Sequence, residues 1–207
     1  MKTTATTFFA VAVLCLAGCN LMGPPLYENH AEEYLSAHGF GTDAINAVLA
    51  GTAIPHELFV VLAAVPDISV RHMLGRNLHL SRDERHVLLQ DSNEFVRQGV
   101  AMNQSLSREE ISLAMADPSF YVWKSLAMNP SVPEDVLLRL RSRPHVSLTD
   151  FAQNTHCPEA IVREIEESND SLAKQLLDTT RRVHGGPRAL TPERKAQPMP
   201  AADGVPR

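Results

Sequence analysis

The sequence predicts an all-α fold, a solenoid of short helix pairs with about 24–26 residues per repeat and no β-sheet. Three observations predict it. Residues 91–116 and 117–141 match at an offset of 26, with Asp91 on Asp117, Val96 on Val122, Val100 on Leu126, Ala101 on Ala127 and Asn103 on Asn129. A period between about 20 and 50 residues is the signature of stacked repeat units. Within each copy, apolar residues recur four apart, as in Val96/Val100 and Val122/Leu126, which places them on one helix face. Helix-start residues also recur at fixed places in each copy.

Taken in order, residues 1–18 are expected to be a signal. Lys2 supplies a thin positive region, and Phe8 to Leu16 form a short apolar run. A membrane-spanning helix needs about 20 apolar residues, so this run is too short and reads as a cleaved signal. The run Leu16-Ala17-Gly18-Cys19 resembles the lipobox of bacterial lipoproteins. That resemblance implies diacylation of Cys19, cleavage before it and a mature chain that begins there. The alternative is an ordinary secretory signal with an incidental cysteine. By the sorting rule of such lipoproteins, Asn20 implies delivery to the outer membrane of a Gram-negative envelope, facing the periplasm, or a cell-membrane anchor in other bacteria. Two or more acyl chains hold firmly where one would not. Residues 19–30, with Pro24-Pro25, then form a lipidated tether.

The remaining cysteine, Cys157, has no partner for an intramolecular disulfide and is expected to be a small buried residue. The formal charge of −5 hides an asymmetry, because residues 181–207 hold six basic residues against Glu193 and Asp203. The body that precedes them is strongly acidic. Phosphate binding needs a basic face, so nucleic acid is not the expected partner.

Residues 31–180 form the expected repeat domain. A short helix over 28–38 should stop at Gly39, and Thr42 or Asp43 should cap a helix over 43–50. Leu49 to Pro55 begin a degenerate copy that aligns with the central pair only after a local shift, and a cleaner copy spans 67–90. A weaker copy covers 142–167. The first helix of each copy is expected to open on a cap, either Asp91 with Glu94 three residues on or Asp117 followed by Pro118. It should end at Asn77, Asn103, Asn129 or Asn154, since Asn tolerates the left-handed conformation that ends helices. The second helix should open on Ser81, Ser107, Pro133 or Pro158, with Glu84 and Glu110 completing capping boxes. Helices this short need stacking to persist. From about residue 181 the pattern gives way to a basic tail rich in proline and glycine, expected to be disordered.

The motif built on Asp117-Pro118, Leu126-Ala127, Asn129-Pro130 and Pro133 resembles the leucine-rich repeat variant family over about residues 67–165. The resemblance implies a right-handed superhelix of alternating α- and 3₁₀-helices without β-strands. A family member carries a cysteine-bound iron–sulfur cluster ahead of its repeats. The cysteines needed to hold one are missing here, so that role is not carried over and no cofactor is expected.

No catalytic motif was found in the mature chain, and His72, His79 and His86 fall in different elements rather than on one helix face. No enzyme activity, no metal and no small-molecule substrate are therefore expected. Equivalent positions of stacked repeats form stripes, and Arg71, Arg97 and Trp123, with Lys124 beside the last, form a candidate partner-binding stripe. The competing expectation is that Arg71 and Arg97 pair with acidic residues of the next repeat while Trp123 packs between repeats. The function expected is a membrane-anchored, non-catalytic scaffold that binds another envelope protein. The alternative is a spacer whose basic tail contacts cell wall or anionic lipid.

Overall fold

The computed structural model describes residues 26–184. Cys19, the signal and most of the tether lie outside the described residues, as does the tail beyond His184. Among the described residues there are twelve helices and no strands, so the fold is all-α. They are α1 (Leu26–Ala37), α2 (Thr42–Leu49), α3 (His56–Ala63), α4 (Ile68–Gly75), α5 (Arg82–Leu89) and α6 (Glu94–Ala101), then α7 (Arg108–Met115), α8 (Phe120–Met128), α9 (Glu134–Leu140), α10 (Leu148–Ala152), α11 (Glu159–Glu167) and α12 (Ser171–His184). The last helix runs four residues into the segment that the sequence assigns to the tail.

Helix starts repeat with a regular beat. The first helices α2, α4, α6 and α8 begin at residues 42, 68, 94 and 120, each 26 after the last. No local shift is needed to place the first copy, because α2 and α3 already stand in register with α4 and α5. First helices pack on first helices, α4 on α6 and α6 on α8, while α1 lies against α4. Val70, Leu74, Val96, Val100, Val122 and Leu126 are all fully buried, so the apolar residues four apart form the continuous core the sequence predicts.

The helix ends follow the sequence in some places and depart from it in others. At the end of α1, Gly39 has φ +74°. Phe40 N–H donates to Leu35 O and Gly39 N–H to Ser36 O, the paired bonds of a glycine-terminated helix. Ser81 with Glu84 and Ser107 with Glu110 form both halves of a capping box. The cap of α2 is Gly41, not Thr42 or Asp43, because the helix begins one residue earlier than expected.

The caps of α6 and α8 are Asn93 and Ser119, not Asp91 and Asp117. Asn93 and Ser119 align with Asp67, which caps α4 by accepting from Val70 N–H. Asp91 and Asp117 sit two residues before the cap, where each accepts the N–H of its cap residue at 2.8 Å. Pro118 accordingly lies before the helix rather than at its first position.

The larger departure concerns the asparagines. None takes a left-handed conformation; among the described residues His145 is the non-glycine with positive φ. Asn129 is the C-cap of α8, as expected, and Asn77, Asn103 and Asn154 each follow the cap by one residue; all four are buried bridges between repeats. Asn103 Nδ2 donates to Gly75 O at 3.1 Å and to Asn77 O at 2.8 Å. Asn129 donates in the same way to Ala101 O and Asn103 O, and Asn154 to Ala127 O and Asn129 O. Asn77 starts the series on Ala47 O and Thr52 O. Each side-chain oxygen then accepts the backbone N–H two residues on, at His79, Ser105, Ser131 and His156. A buried helix end leaves carbonyls without partners, and this amide fills that need with both of its N–H groups.

Two stability predictions follow from this packing. Asn103→Ala strands two buried carbonyls and is expected to cost about 2–3 kcal/mol in urea unfolding; a loss below about 0.5 kcal/mol would show that the bridges do not support the stack. Gly99 lies inside α6, where alanine ordinarily stabilises a helix by about 1 kcal/mol. Here a Cβ would sit 2.3 Å from His72 O, so Gly99→Ala should destabilise instead. A raised thermal midpoint for that variant would refute the tight approach of α4 to α6.

Candidate functional site

The residues of the predicted stripe lie on α4, α6 and α8. Arg71 Nε donates to Asp91 Oδ2 at 2.8 Å and its Nη1 to Val65 O at 2.6 Å. Arg97 repeats the arrangement one unit later, with Asp117 Oδ2 at 2.6 Å and Asp91 O at 2.8 Å. Both guanidiniums are largely enclosed, with side chains 12% and 14% exposed. They clamp consecutive repeats and are not free to meet a partner. Removing one member of such an enclosed pair leaves a charge without its counterion.

Trp123 occupies the third position of this column, and the ring contacts the Arg143 guanidinium 4.5 Å from its centroid. The pairings Arg71–Asp91, Arg97–Asp117 and Trp123–Arg143 all join residues 20 apart. When the first partner changes from arginine to tryptophan, the second changes from aspartate to arginine, and a cation–π contact replaces the ion pair. Lys124 lies half-buried with its Nζ 5.7 Å from the Phe120 centroid. It belongs to a run of ring contacts that includes Phe95–Tyr121 across one repeat junction and Phe120–His145 across the next.

The second helices have a clamp of their own that sequence reasoning missed. Arg85 Nε donates to Glu110 Oε1 at 2.9 Å, and both side chains are buried. Burial pushes the Glu110 carboxyl up, but hydrogen bonds from Arg85 and from Ser107 outweigh it and hold the group below its usual range. The capping glutamate therefore serves two helices at once. In the preceding unit, Glu84 takes His56 in place of the arginine, at 3.0 Å.

On the other side of the first helices is an open cavity of about 520 Å³. Its wall is formed where α2, α4, α6 and α8 end, with α1 contributing Glu28. Met73, Met102 and Met128 line it together with Val48, Leu78 and Pro130. Met102 and Met128 are equivalent positions 26 apart, directly before Asn103 and Asn129. The volume falls within the range of about 300–1,000 Å³ typical of ligand pockets. Methionine side chains adapt to varied apolar shapes, which suits a surface that takes a flexible ligand. Ser125 also lines the cavity, buried and with no hydrogen-bond partner for its hydroxyl. Sequence reasoning assigned these residues only to helix ends. The signal available was the recurrence of Met102 and Met128 at the repeat period.

The remaining candidates are accounted for locally. Cys157 is buried, and desolvation pushes its thiol up to about 12, so it behaves as a small apolar residue. Among the described residues no group of three or more His, Cys, Asp or Glu is placed to hold a metal ion. Arg181, counted with the basic tail in the sequence, lies in α12 and pairs with Glu166 at 2.9 Å. Among the described residues no helix is long and apolar enough to cross a membrane. Comparison with protein-family models, with curated proteins and with solved structures finds no match.

His72 provides a pH prediction. It is buried, stacks on Tyr27 with ring centroids 4.4 Å apart, and its Nδ1–H donates to Phe95 O at 2.7 Å. Desolvation lowers its pKa from 6.5 to about 4, although the bond to Phe95 O works in the opposite direction. Between these values the unfolded chain binds the proton and the folded chain does not, so stability rises with pH. The full contribution is present above 6.5 and falls away toward pH 4, by about 3 kcal/mol in total. Carboxylates dominate at the acid end, so the diagnostic window is pH 5 to 6.5. His72→Leu should flatten the unfolding free energy there, and an unchanged slope would exclude His72 as its source.

Proposed function

We propose that this protein is a lipid-anchored, non-catalytic scaffold of the bacterial cell envelope that holds a partner protein in the methionine-lined groove. In this reading the helix pairs form a right-handed solenoid anchored through acylated Cys19, related to the leucine-rich repeat variant but with α-helices where that family has 3₁₀-helices. The observation that carries it is the groove itself, which runs across the ends of four successive first helices. A site shared by several repeats is what a stacked array can offer and a single unit cannot. The binding surface therefore moves away from Arg71 and Arg97, whose charges are used inside the stack, to the opposite ends of the same helices.

The second helices present a different surface, with Val61, Val87 and Leu113 exposed 26 residues apart. It provides the control. A photo-crosslinking residue placed at Gln104, exposed at the groove, should yield a discrete adduct in intact envelopes, and one placed at Leu113 should not. Adducts of equal yield from both positions, or none from position 104, would reject the groove as the partner site. Cys19→Ala should move the protein from the membrane to the soluble fraction; continued membrane retention would reject the lipid anchor.

A further inference from the structure

The groove offers apolar surface and no unpaired charge. Met73, Leu78, Met102 and Met128 supply the apolar lining. Glu28 and Arg76 are the carboxylate and guanidinium in its wall, and they stand 4.0 Å apart. The helix-end carbonyls of Ala47, Gly75, Ala101 and Ala127 already accept from asparagine amides. A charged occupant finds no counterpart here, whereas an uncharged apolar segment takes methionine surface out of water.

The course of α1 shows which segment stands nearest. This helix packs on α2 and α4, and its first turn reaches α6. There Tyr27 stacks on His72 of α4, and its ring lies 6.3 Å from that of Phe95. Glu28, the next residue, lines the groove together with Met102 and Met128. Helix α1 thus runs from the α6 side back toward α2, and the chain that enters it comes in at the edge of the groove.

That chain is Asn20-Leu21-Met22-Gly23-Pro24-Pro25, and it suits the groove in chemistry and in length. Residues 3–27 contain no acidic or basic residue. Leu21 and Met22 are apolar, and consecutive prolines favour an extended backbone. Extended, residues 20–25 reach about 20 Å. Packed helices stand about 8–10 Å apart, so this reach spans α6 and α8.

Resting on the scaffold reading, we propose that residues 20–25 lie in the methionine-lined groove while it holds no partner, with Leu21 and Met22 against Met102 and Met128. The partner protein enters by displacing them. One segment then serves both as tether and as cover, and uptake of the partner lengthens the free tether between lipid and domain.

Crosslinking of the full lipidated chain in its own envelope tests this. A photo-crosslinking residue in place of Met22 should link within the chain, to peptides that carry Met102 or Met128 on mass spectrometry of the digest. Links to lipid alone, or to other parts of the chain alone, would overturn the assignment. The double variant Leu21→Ser, Met22→Ser keeps Cys19 and the tether length. Oxidation of methionine follows exposure, so in this variant dilute peroxide should oxidise Met102 and Met128 at least about threefold faster. Met115, on α7, should be unaffected. Equal rates at Met102 and Met128 in the two proteins would also overturn it. The serine variant should raise the yield of the partner adduct from position 104. If the link from position 22 is absent while the adduct from position 104 persists, the cover is wrong and the scaffold reading stands. If the link forms and position 104 gives no adduct even in the serine variant, residues 20–25 occupy the groove and the scaffold reading falls.

Discussion

The fold depends on how it disposes of buried carbonyls. A stack of short helices contains many helix ends, each with backbone oxygens that lack an intrahelical partner. Those at the repeat junctions are buried, and leaving them bare would cost about 1–3 kcal/mol each. One asparagine per unit meets the need. Its two N–H groups take two carbonyls of the preceding unit, and its oxygen takes an N–H of its own turn. No other short side chain offers two donors and an acceptor from one planar group.

The clamps work along the same axis in the other direction. Asn103 reaches back to the unit before it, whereas Arg71, Arg85 and Arg97 reach forward to carboxylates of the unit after. Each junction is thus tied from both sides, with the apolar columns between the ties. This arrangement occupies the charges on the Arg71–Arg97 edge. The helix ends around the groove are met by the asparagine amides instead.

The apolar framework was legible in the sequence because burial imposes a period, and the columns from Val70 to Leu126 show it directly. The capping boxes at Ser81 and Ser107 were legible because their chemistry is local. The asparagines were placed rightly at the helix ends, with Asn129 the C-cap of α8, but their right-handed or extended backbone and their bonds to the preceding unit were not legible, since an amide that caps its own helix and one that bridges to a neighbour are the same residue at the same place. Asp91 and Asp117 were misread for a related reason: a carboxylate near a helix start suits a cap as well as an ion pair. The Trp123–Arg143 pair had left a trace, because aspartate gives way to arginine at the position where the column predicts an acid. The groove left less. Its methionines come together only when four helix ends are placed side by side, and no single stretch of sequence contains that geometry.

The bridges also have a direction. Each asparagine bonds two carbonyls at the helix end of the preceding unit, while its own carbonyl accepts from the asparagine of the next. The chain of amides is therefore polar, like a row of hooks that all face one way. Its two ends are not equivalent: Asn77 rests on carbonyls that no asparagine of the series supplies, and Asn154 O has no further asparagine of the series beyond it among the described residues, where α12 lies against α10.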